Sequence, residues 1–170
     1  MQQNLKASIT GIGSYLPKKV LTNYDLEKMI DTSNDWIVKR TGIKERRIVE
    51  NGLTTSDLAA KASLRAIKDA KISPKNIDII ITSTITPDHF FPSTSCYIQR
   101  KIGATRACAF DILAACSGFI YAMAIGESFI NSGTANTVLV VGAECLSKIT
   151  DYSDRTTCVL FGDGAGAVIL

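Results

Sequence analysis

The sequence predicts an α/β layered fold built around a mixed, mostly parallel sheet. Two short, almost continuous apolar runs rich in β-branched residues, 77–82 and 137–142, indicate strands that are buried on both faces. Segments with helical patterns lie between the strand-like runs, and such alternation favours a parallel sheet. The chain has 170 residues, which is enough for one domain with a proper core but not for two.

Two further strands are expected, the first over residues 5–12 and a shorter one over residues 107–110. The first long helix is expected over residues 56–71, where an apolar stripe recurs at helical spacing. Thr55 or Ser56 is expected to cap its start, and the proline that follows its end is expected to stop it.

Two more helices are expected later in the chain. One covers residues 93–102 and ends at Gly103, and the other covers residues 117–132 and ends at Gly133. Glycine adopts the left-handed conformation that often closes a helix. The second of these helices is apolar almost all round, which predicts that it is central and buried.

The last strand-like runs, 157–161 and 165–170, flank Gly162-Asp163-Gly164. Asp-Gly between two such runs predicts a β-hairpin. A strand-like run rather than a helix follows the glycines, which argues against a dinucleotide-binding loop. The chain stops at Leu170, inside an apolar run that requires neighbouring strands, so we expect that a further portion of the domain is missing.

The composition excludes several classes of protein. Hydrophobic residues make up 46% and charged residues 21%, as in soluble globular proteins, and the net charge of +3 is too small to predict a nucleic-acid partner. No stretch reaches the ~18 apolar residues of a membrane helix, and the N-terminus lacks the apolar core of a signal peptide. We therefore expect no membrane association and a cytoplasmic location.

The five cysteines show no metal-binding or redox spacing, and with a single histidine in the chain no metal site is expected. Most of them are expected to be buried free thiols in a reducing compartment. They are Cys96, Cys108, Cys116, Cys145 and Cys158.

Cys116 differs from the other cysteines because it lies where a short strand meets the long apolar helix. The N-terminus of a helix favours a thiolate, and the small residues around Cys116 leave room for a substrate carbonyl. Cys116 is thus a candidate nucleophile, with a buried structural cysteine as the alternative. His89 is the only imidazole, but it lies in a loop that favours a surface residue, so the nucleophile has no convincing partner.

Trp36 lies close in sequence to Arg40 and other basic residues. An aromatic face beside guanidinium groups suits an adenine ring and its phosphates. The alternative is that Trp36 packs under a helix start capped by Ser33 or Asn34. The role of Arg155 is equally ambiguous, because it could also be an ordinary surface charge, and paired charges at a surface are common.

Five ordered segments, spread over the whole chain, resemble the β-ketoacyl-acyl-carrier-protein synthase III family. They are residues 13–17 (GSYLP), 31–37 (DTSNDWI), 40–43 (RTGI), 110–119 (FDILAACSGF) and 161–166 (FGDGAG). The resemblance implies a thiolase fold made of two similar αβαβα halves. Residues 1–170 would be the N-terminal half-domain, with the C-terminal half missing and the nucleophile helix buried.

The resemblance also implies roles for individual residues near the reaction. Cys116 matches the nucleophile that becomes acylated. Phe91 matches a residue that reaches across a dimer interface toward the partner's acyl pocket, and Phe161 matches a residue close to the active-site tunnel.

A second set of matches concerns coenzyme A. Trp36 and Arg155 match the pair that sandwiches the adenine, with Thr32 and Arg40 nearby for the nucleotide. Thr156 departs from the family, which often has glycine there, and a side chain at this position could alter how coenzyme A packs.

The implied reaction starts fatty-acid biosynthesis and needs no metal or other cofactor. An acyl group passes from coenzyme A to Cys116, and malonyl-acyl-carrier protein loses CO₂ and attacks the resulting thioester. The implied partners are acyl carrier protein, a coenzyme A thioester and a second copy in a homodimer. The histidine and asparagine that assist decarboxylation come from the missing half, so the isolated chain is expected to condense nothing.

Two alternatives to this function are kept. One is a related ketosynthase of secondary metabolism, which would share the nucleophile and differ in the acyl pocket. The other is a non-catalytic half-domain that serves dimerisation or binding of the carrier protein.

Overall fold

A computed structural model describes residues 6–170 and shows seven strands and five helices within that range. The strands are β1 (Gly11–Tyr15), β2 (Lys19–Thr22), β3 (Glu45–Ile48), β4 (Ile79–Ser83), β5 (Cys108–Ile112), β6 (Val138–Cys145) and β7 (Asp163–Ile169). The helices are α1 (Asn23–Glu27), α2 (Asn34–Thr41), α3 (Thr55–Asp69), α4 (Thr94–Ile102) and α5 (Gly118–Asn131).

The main sheet has the strand order β1-β7-β6-β4-β5. Strand β4 pairs in parallel with β5 and with β6, whereas β7 runs antiparallel to β6 and β1 runs antiparallel to β7. The predicted α/β fold with a mixed sheet is confirmed, and parallel pairing is confined to β5-β4-β6. Strand β5 lies at one edge, so the segment that leaves it toward Cys116 lies beside the carboxyl end of β4.

Helices cover both faces of this sheet. Ile80 and Leu139 pack on one face against α3 and α4, and Ile79 and Ile81 pack on the other against α5. This division follows from the strand period of two, which sends successive side chains to opposite faces. Gly13 lets β1 approach α3 closely, because a Cβ there would overlap the backbone oxygen of Ala62.

A second, smaller layer carries Trp36. Strands β2 and β3 pair antiparallel, and α1 and α2 pack with them over a core that includes Leu26, Ile37 and Val159. The Arg46 side chain on β3 lies buried in this layer and donates hydrogen bonds to Asn23 Oδ1 and to the carbonyl of Val159. Burial lowers the pKa of Arg46. This arginine joins the layer to the segment that leads into β7.

Most predicted elements are confirmed, with shifted ends. The helices predicted over 56–71, 93–102 and 117–132 correspond to α3, α4 and α5, and Gly103 closes α4 in the left-handed conformation. Thr54, rather than Thr55 or Ser56, is the N-cap of α3. Its backbone N–H donates to the Asp57 carboxylate, so the cap lies one residue earlier than predicted.

The prediction for the first strand is wrong in its position. That strand was expected over residues 5–12, but β1 is Gly11–Tyr15, and Leu5 lies outside the described residues.

The predicted C-terminal hairpin is wrong. Residues 157–160 form turns, and β7 pairs with β6 and β1 instead of folding back on its own neighbour. Asp163 begins β7, and its buried carboxylate accepts hydrogen bonds from the backbone N–H groups of Val49 and Ser147. These long-range contacts fix the Asp-Gly pair in a strand, where local sequence predicts a turn.

The prediction that α5 is buried is wrong for the described structure. Ile120 is 66% exposed and Tyr121 is 55% exposed, because the sheet covers only one side of the helix. None of the helices in residues 6–170 has the length and apolar character needed to cross a membrane.

The cysteine prediction is also wrong, although all five thiols are free. Only Cys145 and Cys158 are buried, and burial raises the pKa of both thiols. Cys108 and Cys116 are exposed because each lies at an open boundary of the sheet, on the edge strand or just after it.

Candidate active site

Cys116 lies in a tight turn between β5 and α5. Ala115–Ser117 form a single 3₁₀ turn, and Ala115 has a φ of 45°, a left-handed conformation that is strained for a residue with a side chain. Gly118 begins α5, and a Cβ at that position would overlap the Ser83 hydroxyl on β4. The strained turn and this close approach together leave the Cys116 side chain exposed at the start of a helix.

A cavity of about 510 Å³ opens at Cys116. Its walls come from the turn itself, from the ends of β4 and β6 and from the segment before β7, and most of them are apolar. The lining includes Ile85, Ala115, Glu144, Leu146, Ile149 and Phe161. The structure therefore places Phe161 at the same cavity as Cys116.

Two carboxylates hold the cavity walls. Glu144 accepts hydrogen bonds from the segment that follows β4, including the N–H of Ile85 at 2.9 Å. Asp163 accepts from the N–H of Ser147 at 2.8 Å and from its hydroxyl, which fixes the segment that carries Leu146 and Ile149. Bonds to charged acceptors are stronger than neutral ones, so these walls are held firmly.

The residues predicted for coenzyme A gather around Trp36. Ser33 caps α2 by accepting a hydrogen bond from the Trp36 N–H at 3.1 Å, and the ring is half-buried. The guanidinium carbons of Arg40 and Arg155 lie 4.4 Å and 4.9 Å from the ring centroid. Arg155 also donates to the carbonyl of Asp31 at 2.9 Å. Chain folding thus brings together side chains that are far apart in sequence, and adenine binding by them stays a prediction.

Thr32 and Thr156 lie beside this cluster in the sequence. The Thr32 Oγ1 atom is buried and has no hydrogen-bond partner within residues 6–170. The Thr156 hydroxyl donates to Asp154, so its side chain is engaged in its own turn. A buried, unpartnered hydroxyl fits a role for Thr32 toward a ligand and does not by itself identify that ligand.

Phe91 and His89 do not line the cavity of their own chain. Phe91 is 88% exposed, and the His89 ring packs against Tyr97 with the centroids 5.5 Å apart. Asp88 anchors their loop to the start of α3, where it accepts a hydrogen bond from the Ser56 N–H at 2.9 Å. The prediction that Phe91 reaches a partner's pocket therefore stays a prediction.

Sequence reasoning missed most of the residues that form the cavity walls, among them Ile85, Glu144, Leu146 and Ile149. Glu144 lies two residues after the end of the predicted strand over residues 137–142. Ligands of α/β sheets bind beyond the carboxyl ends of strands, so a polar residue in that position carried a usable signal. The three apolar wall residues carried none, because their pattern resembles that of any partly buried loop.

The sequence matches known proteins along its whole length. The family model described as 3-Oxoacyl-[acyl-carrier-protein (ACP)] synthase III matches residues 110–170. The β-ketoacyl-[acyl-carrier-protein] synthase III of Caldanaerobacter subterraneus subsp. tengcongensis is 57% identical over all 170 residues, which correspond to 51% of that protein. The chain thus spans about half the length of the curated relatives it matches.

Solved structures of related synthases also match this chain over about half of their own length. The 3-oxoacyl-[acyl-carrier-protein] synthase III from Aquifex aeolicus has a TM-score of 0.93 at 56% identity, covering 97% of this chain and 53% of that one. The priming β-ketosynthase from the R1128 polyketide pathway has a TM-score of 0.96 at 37% identity, covering 99% of this chain and 51% of that one. The chain belongs to the β-ketoacyl-[acyl-carrier-protein] synthase III family. Its half-length structure has the thiolase fold of this synthase III family.

The described part of this synthase III chain contains no group of three or more His, Cys, Asp or Glu side chains that could hold a metal ion.

Proposed function

We propose that this chain provides the nucleophile and the coenzyme A-binding surface of a β-ketoacyl-acyl-carrier-protein synthase III. The observation that carries the proposal is the exposed Cys116 thiol at a helix start, facing an apolar cavity of about 510 Å³. Such a cavity suits an acyl chain, because apolar walls exclude water from the thioester and leave few polar groups unpaired.

The first half-reaction is an acyl transfer. The Cys116 sulfur attacks the carbonyl carbon of an acyl-coenzyme A, a new C–S bond forms, and the coenzyme A thiolate leaves and takes up the proton of the Cys116 thiol. Trp36 and Arg155 are proposed to bind the adenine, and Arg40 and Thr32 to contact the nucleotide. Phe161 is proposed to contact the acyl chain in the cavity.

The second half-reaction is a decarboxylative condensation. Malonyl-acyl-carrier protein loses CO₂, the electron pair left on its methylene carbon attacks the Cys116 thioester, and the Cys116 thiolate leaves. The only imidazole in the sequence, His89, does not line the cavity. The chain alone is therefore proposed to stop at the acyl-cysteine stage, and condensation is assigned to the chain combined with the other half of its relatives.

Acylation of the chain by acetyl-coenzyme A tests this proposal. Intact-mass measurement is expected to show one added acetyl group, and peptide mapping is expected to place it on Cys116. The Cys116→Ala variant is the control and should remain unlabelled. Label that persists in that variant, or that is absent both alone and after mixing with the other half of a close relative, would refute the proposal and favour the non-catalytic half-domain.

A ketosynthase that primes polyketide synthesis is the second candidate, and its support is the TM-score of 0.96 to the R1128 priming enzyme. The two candidates share the nucleophile and differ in the acyl donor and in the acceptor carrier protein. A panel of acyl-coenzyme A donors and carrier proteins, assayed with a complementing half, separates them. Activity with the fatty-acid carrier protein and acetyl-coenzyme A would support the first.

The biological setting follows from the first candidate. We propose that the chain works without a metal or other cofactor, uses acyl-coenzyme A and acyl carrier protein as substrate and partner, and pairs with a second copy through the face that exposes Phe91. We further propose the cytoplasm as its location.

A further inference from the structure

Glu144 lies on the wall of the Cys116 cavity, but its carboxylate faces the segment that follows β4. Oε1 accepts the Ile85 N–H at 2.9 Å, and Oε2 accepts the Thr84 hydroxyl at 3.3 Å and the Thr86 hydroxyl at 2.5 Å. One carboxylate therefore holds three consecutive residues. We refer to residues 84–86 as the wall segment.

The wall segment is also anchored at its two ends, where the Thr84 N–H donates to the carbonyl of Ile112 at 3.3 Å and the Thr86 carbonyl accepts the Thr55 hydroxyl at 2.6 Å, so Glu144 is the anchor of its middle residue. Strand β4 ends at Ser83, so the Ile85 N–H has no strand partner, and Glu144 is the only acceptor found for it within residues 6–170. The Thr86 hydroxyl accepts the Cys145 N–H at 2.9 Å while it donates to Glu144, which ties the wall segment to β6. Loss of the carboxylate would release the backbone at Ile85.

Ile85 forms part of the wall of the cavity. Its side chain is 39% exposed and lines the same cavity as Cys116 and Phe161. Loss of the carboxylate leaves the part-buried Thr84 and Thr86 hydroxyls without their shared acceptor and frees the Ile85 N–H, so the released segment moves to a position where these groups find new partners. The Ile85 side chain moves with it.

We propose that Glu144 is a positioning residue that selects the acyl group by fixing the Ile85 wall beside Cys116. The inference rests on the proposed function, because it assumes that acyl chains enter this cavity. Glu144 takes no part in bond making, and its effect is to keep the cavity too narrow for long or branched chains.

The test measures chain-length selectivity at Cys116 without coenzyme A. Methyl and hexyl methanethiosulfonate each transfer their alkylthio group to a thiolate, forming a disulfide and releasing methanesulfinate. Peptide mass spectrometry gives the rate at Cys116 for both reagents, and the ratio of the hexyl rate to the methyl rate reports the width of the cavity. The proteins compared are the wild type, Glu144→Ala, Glu144→Gln, Ile85→Ala and the double variant Glu144→Ala/Ile85→Ala, with Glu127→Ala as the control on the exposed face of α5.

The ratio is expected to rise about tenfold in Glu144→Ala, which matches the discrimination given by one or two methylenes in an apolar pocket. The ratio should rise similarly in Ile85→Ala and no further in the double variant, because both changes act on the same wall. The Glu127→Ala ratio should equal that of the wild type. Glu144→Gln keeps one acceptor oxygen and should show a smaller rise.

An unchanged ratio in Glu144→Ala, or additive effects in the double variant, would overturn the inference. If Glu144→Ala loses its cooperative thermal transition, Glu144→Gln alone decides the question, and an unchanged ratio in that folded variant overturns the inference equally. The result is separable from the proposed function. Failure of acetyl-coenzyme A to label wild-type Cys116 refutes the function, whereas the ratio of the hexyl rate to the methyl rate judges only the role of Glu144.

Discussion

The Cys116 cavity and the Trp36 cluster are held by different kinds of interaction. At the cavity, the Glu144 and Asp163 carboxylates accept hydrogen bonds from backbone N–H groups at 2.9 Å and 2.8 Å. At the cluster, two exposed guanidinium groups rest on the Trp36 ring, and an exposed contact of this kind contributes only about 0.5–1 kcal/mol. The cavity is therefore preformed, whereas the cluster can open.

The difference has a consequence for ligand binding. A base stacked between Trp36 and Arg155 requires about 7 Å between them, two layers of van der Waals contact. The guanidinium of Arg155 lies 4.9 Å from the ring, so it must withdraw by about 2 Å. Its ion pair with Asp31, at 3.6 Å, is exposed and resists this movement little. An anchoring site can adapt in this way, whereas a site that selects acyl groups needs fixed walls.

The largest effect is expected in the reactivity of the thiols, and it tests whether the cavity is open to solvent. Iodoacetamide at mildly alkaline pH should alkylate Cys116 at least about 100-fold faster than Cys145 and Cys158, because burial raises the pKa of the latter two and blocks access to them. Peptide mass spectrometry over time gives the three rates. In urea the three rates should converge, and equal rates in the native chain would show that the cavity is closed.

A second experiment damages the cavity and leaves the cluster intact. Gly118→Ala places a methyl group against the Ser83 hydroxyl at the start of α5, which should destabilise the protein by about 1–3 kcal/mol in urea unfolding. Cys116 alkylation should slow, while coenzyme A should still quench the fluorescence of Trp36, the only tryptophan in the chain. Gly166→Ala, where a Cβ meets nothing within 4 Å and φ lies outside the left-handed region, is the control for the loss of a glycine. Wild-type stability and alkylation in Gly118→Ala would show that α5 does not need this close approach.

A third experiment damages the cluster and leaves the cavity intact. Trp36→Ala removes the stacking surface and should weaken coenzyme A binding by about 1–3 kcal/mol, the range measured for stacking of one base on an aromatic side chain. Calorimetry with coenzyme A provides the affinity, since the variant has no tryptophan signal. Methyl methanethiosulfonate should modify Cys116 at the wild-type rate. Unchanged affinity would remove the coenzyme A role from this cluster.

The sequence predicted the elements that have strong local signals. The buried strands and the helices closed by glycine follow from apolar runs and backbone preferences, and their boundaries agree with the structure to within a few residues. The C-terminal hairpin failed because the partners of Asp163, Val49 and Ser147, come from distant segments. Local turn preference cannot register such contacts.

The candidate site divides in the same way. Cys116 could be singled out from its place between a strand and a helix, whereas the walls around it depend on how three loops meet. Trp36 and Arg40 could be singled out from their closeness in sequence, whereas Arg155 was joined to them by family resemblance, because nothing local links Trp36 to Arg155. The apolar α5 shows the opposite error. Its composition predicts burial, yet the neighbours present in this half-length chain cover one side only.

The smallest effect is expected for Asp57, a carboxylate that lies outside both the Cys116 cavity and the Trp36 cluster. Its substitution therefore provides a baseline for the effects expected in those two regions. Burial raises the pKa of Asp57, but its bonds to Lys101 and Thr54 outweigh burial, and the net pKa is lowered from 3.8. Its contribution to stability is therefore present above the unfolded pKa and is lost as the pH falls through the lower folded value. Asp57→Asn should cost about 1 kcal/mol or less near neutral pH, because the ion pair with Lys101 is partly exposed.

The stability difference between the wild type and Asp57→Asn should vanish in acid. Urea unfolding of the wild type and of Asp57→Asn, repeated over a pH series, measures it, and Cys116 alkylation and coenzyme A binding should be the same in both proteins at neutral pH. A stability difference that persisted below the folded pKa would mean that Asp57 acts through the shape of its side chain. A change in alkylation would mean that the start of α3, where Asp88 anchors the loop that follows β4, transmits strain to the cavity. The walls would then depend on a surface ion pair, and the contrast between a fixed cavity and an adaptable cluster would fail.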